Sequence, residues 1–363
     1  MSGKKHGIIF NVFRVILIII AAAVLLLAGM VGFLSVTEYK PADRLKAEIT
    51  GSAAKELNLE EEISLLTFNI GYGALGDNAD FFMDGGKSVY TADEERVNKN
   101  LDGILDEVKR INPDIVLFQE IDKSSSRSRK INEYEMFKSE LTDRAFSFAN
   151  NFKVAFLPYP VPPIGKVDSG IATASSFYVK SAERVQLPIP FSWPMRMANL
   201  KRCVLVSRIP IKNSDKELVI FNLHLEAYDD GEGKIKQTEM LSGLLKTERE
   251  KGNYVIAGGD FNQIFSNADK NAYKVKEGMW APGEIDVAAF GEGFTFLMDE
   301  KTPTCRSLDK AYKGADRETF QYYLIDGFIV SDNISVNLLQ TQNLDFVYSD
   351  HNPVLLKAVL KGE

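Results

Sequence analysis

Apolar, strand-like segments that end in a polar side chain recur through the chain and constrain its fold more than any other feature. The clearest is Tyr254–Asn262, in which an apolar run reaches two glycines and then Asp260 and Asn262, two residues apart. In an extended backbone these two side chains point to the same side, and the glycines allow close approach of a backbone or an oxyanion. The segment predicts a strand that presents a carboxylate beside a carboxamide, although an Asx turn closing the strand fits the same residues.

Five further apolar segments carry a polar side chain at or near their ends. They hold Asn69, Glu120, His224, Asp326, and the pair Asp350 and His351. Burying an acid among apolar residues is costly unless the acid is paired. We therefore expect these side chains to meet in one site at a common edge of packed sheets. The competing interpretations are a surface carboxylate for Glu120 and a core imidazole bonded to backbone for His224.

The residue types at these positions suit phosphoryl chemistry. Asn69, Glu120 and Asp350 offer the hard oxygen ligands that Mg²⁺ or Mn²⁺ prefers, and the chain has no Cys/His spacing typical of zinc sites. Asp326 placed against His351 would fix the tautomer of the imidazole and favour its protonated form. The remaining candidates are His224 and Asn262, which would stabilise developing charge, and Asp260, which would orient or deprotonate the attacking water.

The composition is that of a globular protein, with 45% hydrophobic and 26% charged residues and a formal net charge of −7. The acidic balance argues against broad electrostatic capture of nucleic acid but is compatible with a local basic cleft. A basic loop over 123–130 directly follows Glu120 and could reach a phosphate. The two cysteines, Cys203 and Cys305, fit a disulfide or two buried free thiols equally well.

The N-terminal region predicts a membrane anchor. Residues 1–14 hold Lys4, Lys5 and Arg14 and no acid, and Val15–Leu34 is then free of charge. At about 1.5 Å per residue this run spans a hydrocarbon core of about 30 Å. Basic residues on its N-terminal side place that end in the cytoplasm and the rest of the chain outside the cell. A cleaved signal peptide is the alternative, but its apolar region is usually shorter, about 7–15 residues.

These signals divide the chain into four parts. We predict a basic cytoplasmic tail over 1–14, a single transmembrane helix over 15–36, a polar stalk over 37–62 and one catalytic domain over 63–363. Within the domain, helical spacing of apolar residues predicts helices over 96–111, 132–141 and 235–250. Two further stretches, 72–93 and 158–196, are interpreted as long inserts, and the second contains an apolar loop from Phe191 to Met195.

Six short motifs, in order, resemble those of the endonuclease/exonuclease/phosphatase superfamily, which has the deoxyribonuclease-I-like fold. They are Thr67-Phe-Asn69, Gln119-Glu120, Asn222-Leu-His224-Leu, Gly259-Asp260-Phe-Asn262, Ile325-Asp326-Gly-Phe and Ser349-Asp350-His351-Asn-Pro-Val. Each motif alone is modest, but the six together cover nearly the whole chain from residue 63 onward. The two histidines outside residues 1–14, His224 and His351, both fall within these motifs.

The resemblance implies an α/β fold, a four-layer sandwich of two packed mixed β-sheets flanked by helices, and Mg²⁺-dependent cleavage of a phosphoester. It implies Glu120 as the principal metal ligand with Asn69 and Asp350 nearby, and Asp260 and Asn262 as water-orienting and phosphate-binding groups. The implied catalytic residues also include His224 and His351 at the phosphate and Asp326 as the support of His351. The sequence departs from the family at Ser175–Phe177, where many members have a basic residue after serine. Arg127, Arg196, Lys201 or Arg202 could replace that contact.

The function that follows is a membrane-tethered, outward-facing, metal-dependent phosphodiesterase at the cell membrane, assumed to be a monomer. Its substrate is either nucleic acid or a phospholipid headgroup, and it uses one or two metal ions. The alternative is a non-catalytic binding or scaffold domain that kept the fold. Loss of ligands is what such a domain should show, and all six sites are present.

Overall fold

The computed structural model describes residues 2–229 and 231–362. Its α-helices are α1 (Ser2–Thr37), α2 (Glu94–Ile111), α3 (Glu133–Glu140) and α4 (Glu232–Glu250). Its strands are β1 (Arg44–Ala47), β2 (Ile49–Gly51), β3 (Glu62–Asn69), β4 (Ile115–Asp122), β5 (Ala145–Leu157), β6 (Gly165–Ser175), β7 (Ser181–Gln186), β8 (Cys203–Pro210), β9 (Glu217–His224), β10 (Tyr254–Asp260), β11 (Gln263–Phe265), β12 (Gly283–Ile285), β13 (Phe294–Leu297), β14 (Cys305–Arg306), β15 (Tyr322–Tyr323), β16 (Asp326–Ser331), β17 (Ile334–Thr341) and β18 (Val354–Leu360).

Helix α2 shows how local sequence sets the boundaries of an element. The Asp93 side chain caps its start by accepting a hydrogen bond from the backbone N–H of Arg96 at 2.9 Å. Apolar residues at helical spacing, including Val97, Leu101 and Val108, are buried on one face. Asn112 then adopts a left-handed conformation with φ 47° and ends the helix before a proline. The predicted helices over 96–111, 132–141 and 235–250 correspond to α2, α3 and α4.

Two seven-stranded sheets form the body of the domain. The first has the strand order β17-β18-β3-β4-β6-β5-β2 and the second has the order β1-β7-β8-β9-β10-β16-β13. The pairs β3/β4 and β9/β10 are parallel, whereas the other pairs in the two sheets are antiparallel. Both sheets are therefore mixed.

The two sheets pack face to face with helices outside. Leu65 and Leu117 of the first sheet meet Ile220, Ile256 and Phe328 of the second in one buried cluster. Helices α2 and α3 cover the outer face of the first sheet, and α4 covers the outer face of the second. Each apolar sheet face is thus shielded from water, as a stable layered domain requires. The predicted four-layer α/β sandwich is confirmed.

The predicted stalk over 37–62 is wrong for its central part. Strand β1 pairs antiparallel with β7, and β2 pairs antiparallel with β5, so residues 44–51 complete one edge of each sheet. Leu57 is buried in the cluster between the sheets. These strands are short, polar and interrupted, and they lack the alternation that indicates a strand in sequence. The folded domain therefore begins before residue 63.

The range 158–196 is not a single insert. Its middle forms β6, which lies inside the first sheet, and β7, which lies in the second. The longer segments outside these strands are the hairpin tip between β5 and β6 and the loop from residue 187 to residue 202.

Helix α1 is longer than the predicted span of 15–36. Within it, Ile8–Thr37 is long and apolar enough to cross a membrane, with a mean hydropathy of 3.0 in its most apolar window and none of that window buried against the protein. A signal sequence passes the same test of length and composition. The helix is therefore a candidate membrane span.

Both cysteines are buried free thiols. Cys203 lies in β8 and Cys305 in β14. Burial raises the pKa of the Cys203 thiol to about 11 and that of the Cys305 thiol to about 12. Of the two alternatives drawn from the sequence, the structure has the unpaired thiols.

Candidate active site

The predicted site residues of the second sheet meet at the end of three neighbouring strands. Asp260, the last residue of β10, pairs with His224 on β9 and with Asp326 on β16. Directly opposed residues on adjacent strands have their side chains about 5 Å apart. His224 Nε2 lies 3.4 Å from Asp260 Oδ2. The register of the sheet alone therefore brings an imidazole and two carboxylates together.

The first sheet contributes Asn69 and Glu120 to the same edge. Asn69 ends β3, and its Nδ2 donates to Asp260 Oδ2 at 3.0 Å across the two sheets. The same Nδ2 lies 3.4 Å from Glu120 Oε1, and Asn69 Oδ1 accepts from the backbone N–H of Gly71 at 3.1 Å. Asn69 thus links a carboxylate of each sheet.

Glu120 lies within β4, in a β-bulge, and not at a plain strand end. The register between β4 and β6 shifts between Phe118 and Ile121, and Glu120 has φ 56°, in the left-handed region. A bulge re-aims a side chain that an unbroken strand would direct elsewhere, and a non-glycine residue with positive φ costs free energy. The Glu120 side chain keeps 25% of its exposure, so this carboxylate remains accessible at the edge.

The turn before the last strand supplies Asp350 and His351. His351 Nδ1 lies 2.8 Å from Asp326 Oδ2, while His351 Nε2 faces Asp260 Oδ2 at 3.8 Å. Asp350 is buried beside Gly71, where a β-carbon would come within 2.9 Å of Asp350 Oδ1. The hydroxyl of Ser349 holds this turn on β3 by donating to the backbone carbonyl of Asn69 at 2.8 Å.

Burial and mutual charge set the protonation of this cluster. Burial and the charge of Asp326 raise the pKa of Asp260 to about 7, against the opposing effect of His351. Burial opposes the charged form of His351, but the Asp326 carboxylate outweighs it and raises the pKa of His351 well above its ordinary value. Burial and the positive charge of Arg202 lower the pKa of His224 well below its ordinary value. The two imidazoles are therefore unlike, one protonated and the other neutral at neutral pH.

The extended geometry expected for Asp260 and Asn262 is wrong. Strand β10 ends at Asp260, whose Oδ1 accepts the backbone N–H of Asn262 at 2.9 Å, and Asn262 has φ 51°. This is the Asx turn given above as the alternative. It nevertheless keeps Asn262 at the site, because Asn262 Nδ2 donates to the carbonyl of Leu225, next to His224, at 3.0 Å.

The basic residues considered as phosphate contacts lie in different places. Arg127 Nη1 is 4.0 Å from Glu120 Oε2, and its guanidinium stacks on the Tyr72 ring at 3.7 Å. Arg202 is buried and donates to the backbone carbonyl of His224 at 3.3 Å. Arg196 and Lys201 instead pair with Glu38, just beyond the end of α1. Of these four residues, Arg127 is thus the one beside Glu120, and its Nε and Nη2 also donate to the carboxylate of Asp122 at 3.2 and 3.0 Å.

Two residues near the site carried no signal in the sequence. Tyr228 donates its hydroxyl to Asp84 Oδ1 at 3.0 Å. The pKa of Asp84 is raised by burial and by the charge of Glu120. These residues come from two loops that join only in the folded chain, and neither stands in an apolar strand. To find Tyr228 and Asp84 from the sequence, one would need to know which loops lie next to each other above the strand ends.

Oxygen donors dominate the part of the site that faces Glu120. Burial and the negative charge of Glu120 raise the pKa of Asp350 to about 6, with His351 opposing. Carboxylates that repel each other in a buried place are suited to a divalent cation, and carboxylate and amide oxygens are the ligands of Mg²⁺ and Mn²⁺. The donor set therefore fits a hard divalent metal.

The chain is similar to known proteins in both sequence and structure. The profile of the Endonuclease/Exonuclease/phosphatase family matches residues 66–351. No curated protein sequence matches the chain. Structural similarity extends to an endonuclease/exonuclease/phosphatase from Beutenbergia cavernae DSM 12333, at 14% identity over 83% of this chain and 72% of that chain, with a TM-score of 0.56.

Two further solved structures share the fold. One is an endonuclease/exonuclease/phosphatase family protein from Leptotrichia buccalis C-1013-b, at 15% identity over 82% of this chain and 99% of that chain, with a TM-score of 0.51. The other is TDP2 of D. rerio complexed with a single-strand DNA product, at 13% identity over 82% of this chain and 98% of that chain, with a TM-score of 0.50.

Proposed function

The chain belongs to the endonuclease/exonuclease/phosphatase family, whose members are phosphoric ester hydrolases, and we propose that it is an active, metal-dependent member tethered to a membrane. The observation that carries the proposal is the position of Asp260 between His224 and His351, with Asp326 bonded to His351. A carboxylate flanked by one neutral and one protonated imidazole combines a base with donors for a phosphate.

Each side chain of the cluster has a definite role in this proposal. Asp260 takes a proton from the attacking water, since its pKa of about 7 lies near the operating pH. His351, held by Asp326, donates from Nε2 to a phosphate oxygen. His224 and the free N–H of the Asn262 amide bind further oxygens. Asn69 orients Asp260 through the hydrogen bond at 3.0 Å.

Mg²⁺, or Mn²⁺ in its place, would be held by Glu120 and Asp350, with Asn69 Oδ1 as a third oxygen. When bound, the ion would neutralise phosphate oxygens and stabilise the leaving oxygen. The exposed edge of Glu120 and the raised pKa of the buried Asp350 support this assignment. Arg127 lies beside Glu120 and would contact the outer side of the phosphate.

Hydrolysis of bis-p-nitrophenyl phosphate tests the proposal directly. We expect activity with Mg²⁺ or Mn²⁺, loss with a chelator, and a fall of at least about 100-fold in Glu120→Ala and His351→Ala, since each removes charge stabilisation in the transition state. Glu239→Ala, an exposed acid on α4, is the matched control and should keep wild-type activity. Activity surviving in both site variants would refute the assigned roles. Inactivity of every form would favour the scaffold alternative.

Two substrate classes fit the site. Phospholipid headgroups suit a domain joined to a membrane helix, and nucleic acid suits a fold that in the D. rerio protein holds a single-strand DNA product. A panel of plasmid DNA, RNA, sphingomyelin and phosphatidylinositol phosphates, each with Mg²⁺ and with chelator, separates them. Cleavage of the lipids alone is the outcome that the anchor favours.

The tether and its orientation rest on the N-terminal region. Helix α1 continues past the apolar run to Thr37. Leu34, the last residue of the run, is buried against the domain. Cleavage of the run as a signal peptide would remove that contact. We propose retention as a single-pass anchor with residues 1–14 in the cytoplasm and the domain, a monomer, outside the cell membrane. Protease added to intact cells should release the domain, whereas protection of the domain would show the opposite orientation.

A further inference from the structure

The end of helix α1 is fixed to the domain and does not hang on a flexible linker. Leu34 is buried with Val154 of β5 and with Met197, and the hydroxyl of Ser35 donates to Met197 Sδ at 2.9 Å. Just beyond the helix, the Glu38 carboxylate is only 2% exposed and contacts Lys201 Nζ at 3.3 Å. These contacts hold the loop over 187–202 against the last turns of the helix.

The same loop carries large apolar side chains that face solvent. Trp193 is 58% exposed and Met195 is 64% exposed, although both precede Met197 by only a few residues. A hydrogen bond from the Arg196 N–H to the Ser192 carbonyl at 2.9 Å closes the turn that displays them. The Asn199 side chain donates to the Met195 carbonyl at 3.2 Å. The exposure is therefore built into an ordered turn.

The length of the apolar run sets the height of this turn relative to a bilayer. Arg14 is the last charge before the run, and the 20 residues from there to Leu34 rise about 30 Å, the thickness of a hydrocarbon core. Leu34 then lies at the outer boundary of that core, and Met197, in contact with it, lies at the same level. Tryptophan concentrates at this boundary in membrane proteins.

We propose that the turn bearing Trp193 and Met195 inserts into the outer headgroup region of the bilayer that α1 spans, so that the domain docks on the membrane at a second point. This docking rests on the membrane tether of the proposed function, and the same bilayer covers the exposed side chains of the turn. Arg196, 45% exposed in its side chain, lies next to Met195 and can contact lipid phosphates at the same level.

Docking in this way brings the candidate site close to the membrane surface. Val154, which contacts Leu34, pairs with Val167, and two residues away Phe152 pairs with Ser169. Arg127 Nη2 donates to Ser169 Oγ at 3.0 Å, and Arg127 Nη1 lies 4.0 Å from Glu120 Oε2 in the candidate site. The end of helix α1 and the candidate site therefore both contact the β5–β6 hairpin in the part near its tip. A docked domain presents its site to phosphoesters held in the bilayer surface.

Tryptophan fluorescence in vesicles tests the docking. The chain has two tryptophans, so Trp280→Phe leaves Trp193 as the only tryptophan, which is excited selectively at a wavelength that tyrosine does not absorb. Reconstituted in phosphatidylcholine vesicles with brominated acyl chains, it should emit at least about twofold less than in unbrominated vesicles, because an inserted Trp193 contacts the bromines. In the matched control, Trp193→Phe and Trp280→Phe are combined with Tyr178→Trp, at an exposed position on the opposite end of the hairpin. Its emission should be the same in both vesicles.

A spin label gives a second, independent measurement if the tryptophan variants do not fold. Because both native cysteines are buried, Met195→Cys can be labelled selectively, and its collisions with oxygen should exceed those with a water-soluble nickel complex. Vesicle-bound protein whose Trp193 is unquenched and whose label prefers the nickel complex would overturn the docking. Failure of the full chain to float with vesicles would overturn the tether and the docking together. Hydrolysis of bis-p-nitrophenyl phosphate is independent of both results.

Discussion

The bond between Asp326 and His351 predicts that Asp326→Asn changes the pH profile and not only the rate. His351 Nδ1 lies 2.8 Å from Asp326 Oδ2, and this carboxylate holds the pKa of the buried imidazole well above its ordinary value. A hydrogen bond to a charged group contributes about 1.5–3 kcal/mol, which corresponds to about one to two pKa units. Asparagine keeps the shape of the side chain but removes the charge that stabilises the imidazolium.

Two ionisations move in the same direction in this variant. Activity that needs the His351 imidazolium is lost as the pH rises through the pKa of His351, so a lower pKa brings that loss to lower pH. Activity that needs the Asp260 carboxylate appears as the pH rises through its pKa, about 7, which the charge of Asp326 helps to raise. Without that charge the pKa of Asp260 falls, and the acidic limb also moves to lower pH.

The assay is kcat/KM for bis-p-nitrophenyl phosphate between pH 5 and pH 10. We expect the alkaline limb of Asp326→Asn to lie about one to two units below that of the wild type, with a fall of about 10- to 100-fold above that limb. Asp332→Asn is the control, because Asp332 pairs with Arg249 on the surface. A variant profile that lowers the rate equally at every pH would refute the coupling of these three residues.

Three further predictions concern stability. Gly259→Ala should lower the free energy of unfolding in urea by several kcal/mol, because the new β-carbon would lie 2.0 Å from the Leu223 carbonyl oxygen and Gly259 has φ 152°. Gly243→Ala on α4, where a β-carbon meets open space, should instead raise it by about 0.5–1 kcal/mol, and equal effects of the two substitutions would refute this. A fragment starting at residue 63 should unfold at least about 2 kcal/mol more easily than one starting at residue 38, since it loses β1, β2 and the buried Leu57; equal urea midpoints would count against it. Glu248→Gln should cost about 1–2 kcal/mol at pH 7, after allowance for solvent screening. Its carboxylate is partly buried, but hydrogen bonds from Arg208 lower its pKa to about 2, so the difference from wild type should shrink as the pH falls from about 5 toward 2 and should not change if the pair contributes nothing.

The clustering of the candidate residues was predictable because polar side chains in apolar, buried strands are conspicuous in the sequence. Glu120 lies inside an apolar strand, and His224 and Asp326 each stand at the end of one; buried polar groups in such places are tolerated only where another group compensates. The parallel pairing of β9 with β10 then requires that residues ending both strands lie side by side. The order of the motifs and the periodicity of the strands were therefore sufficient for the layers of the fold and for the membership of the cluster.

Local backbone geometry was not predictable in the same way. The two glycines before Asp260 suggested room for an oxyanion, but a β-carbon at Gly258 would meet the Phe328 ring at 2.6 Å. The absence of a side chain at these two glycines allows the neighbouring strands to pack closely. The bulge at Glu120 and the edge strands over 44–51 likewise depend on partners that are distant in sequence, and no local pattern announces them.

The hydrogen bond from Asn69 to Asp260 explains why the site depends on the packing of the two sheets. Each sheet alone carries acids that repel one another, and only their face-to-face packing places an amide between Glu120 and Asp260. A second buried hydrogen bond, from Gln119 Nε2 to Asn222 Oδ1 at 2.9 Å, crosses the same interface between two amides. Buried amides of this kind fix relative position because leaving one unpaired costs about 1–3 kcal/mol. Sliding one sheet past the other would break both bonds, so this polar interface helps to hold Asp260 at its distance from Asn69 and from His351, which lie on the first sheet, whereas the register of the second sheet sets its distance from His224.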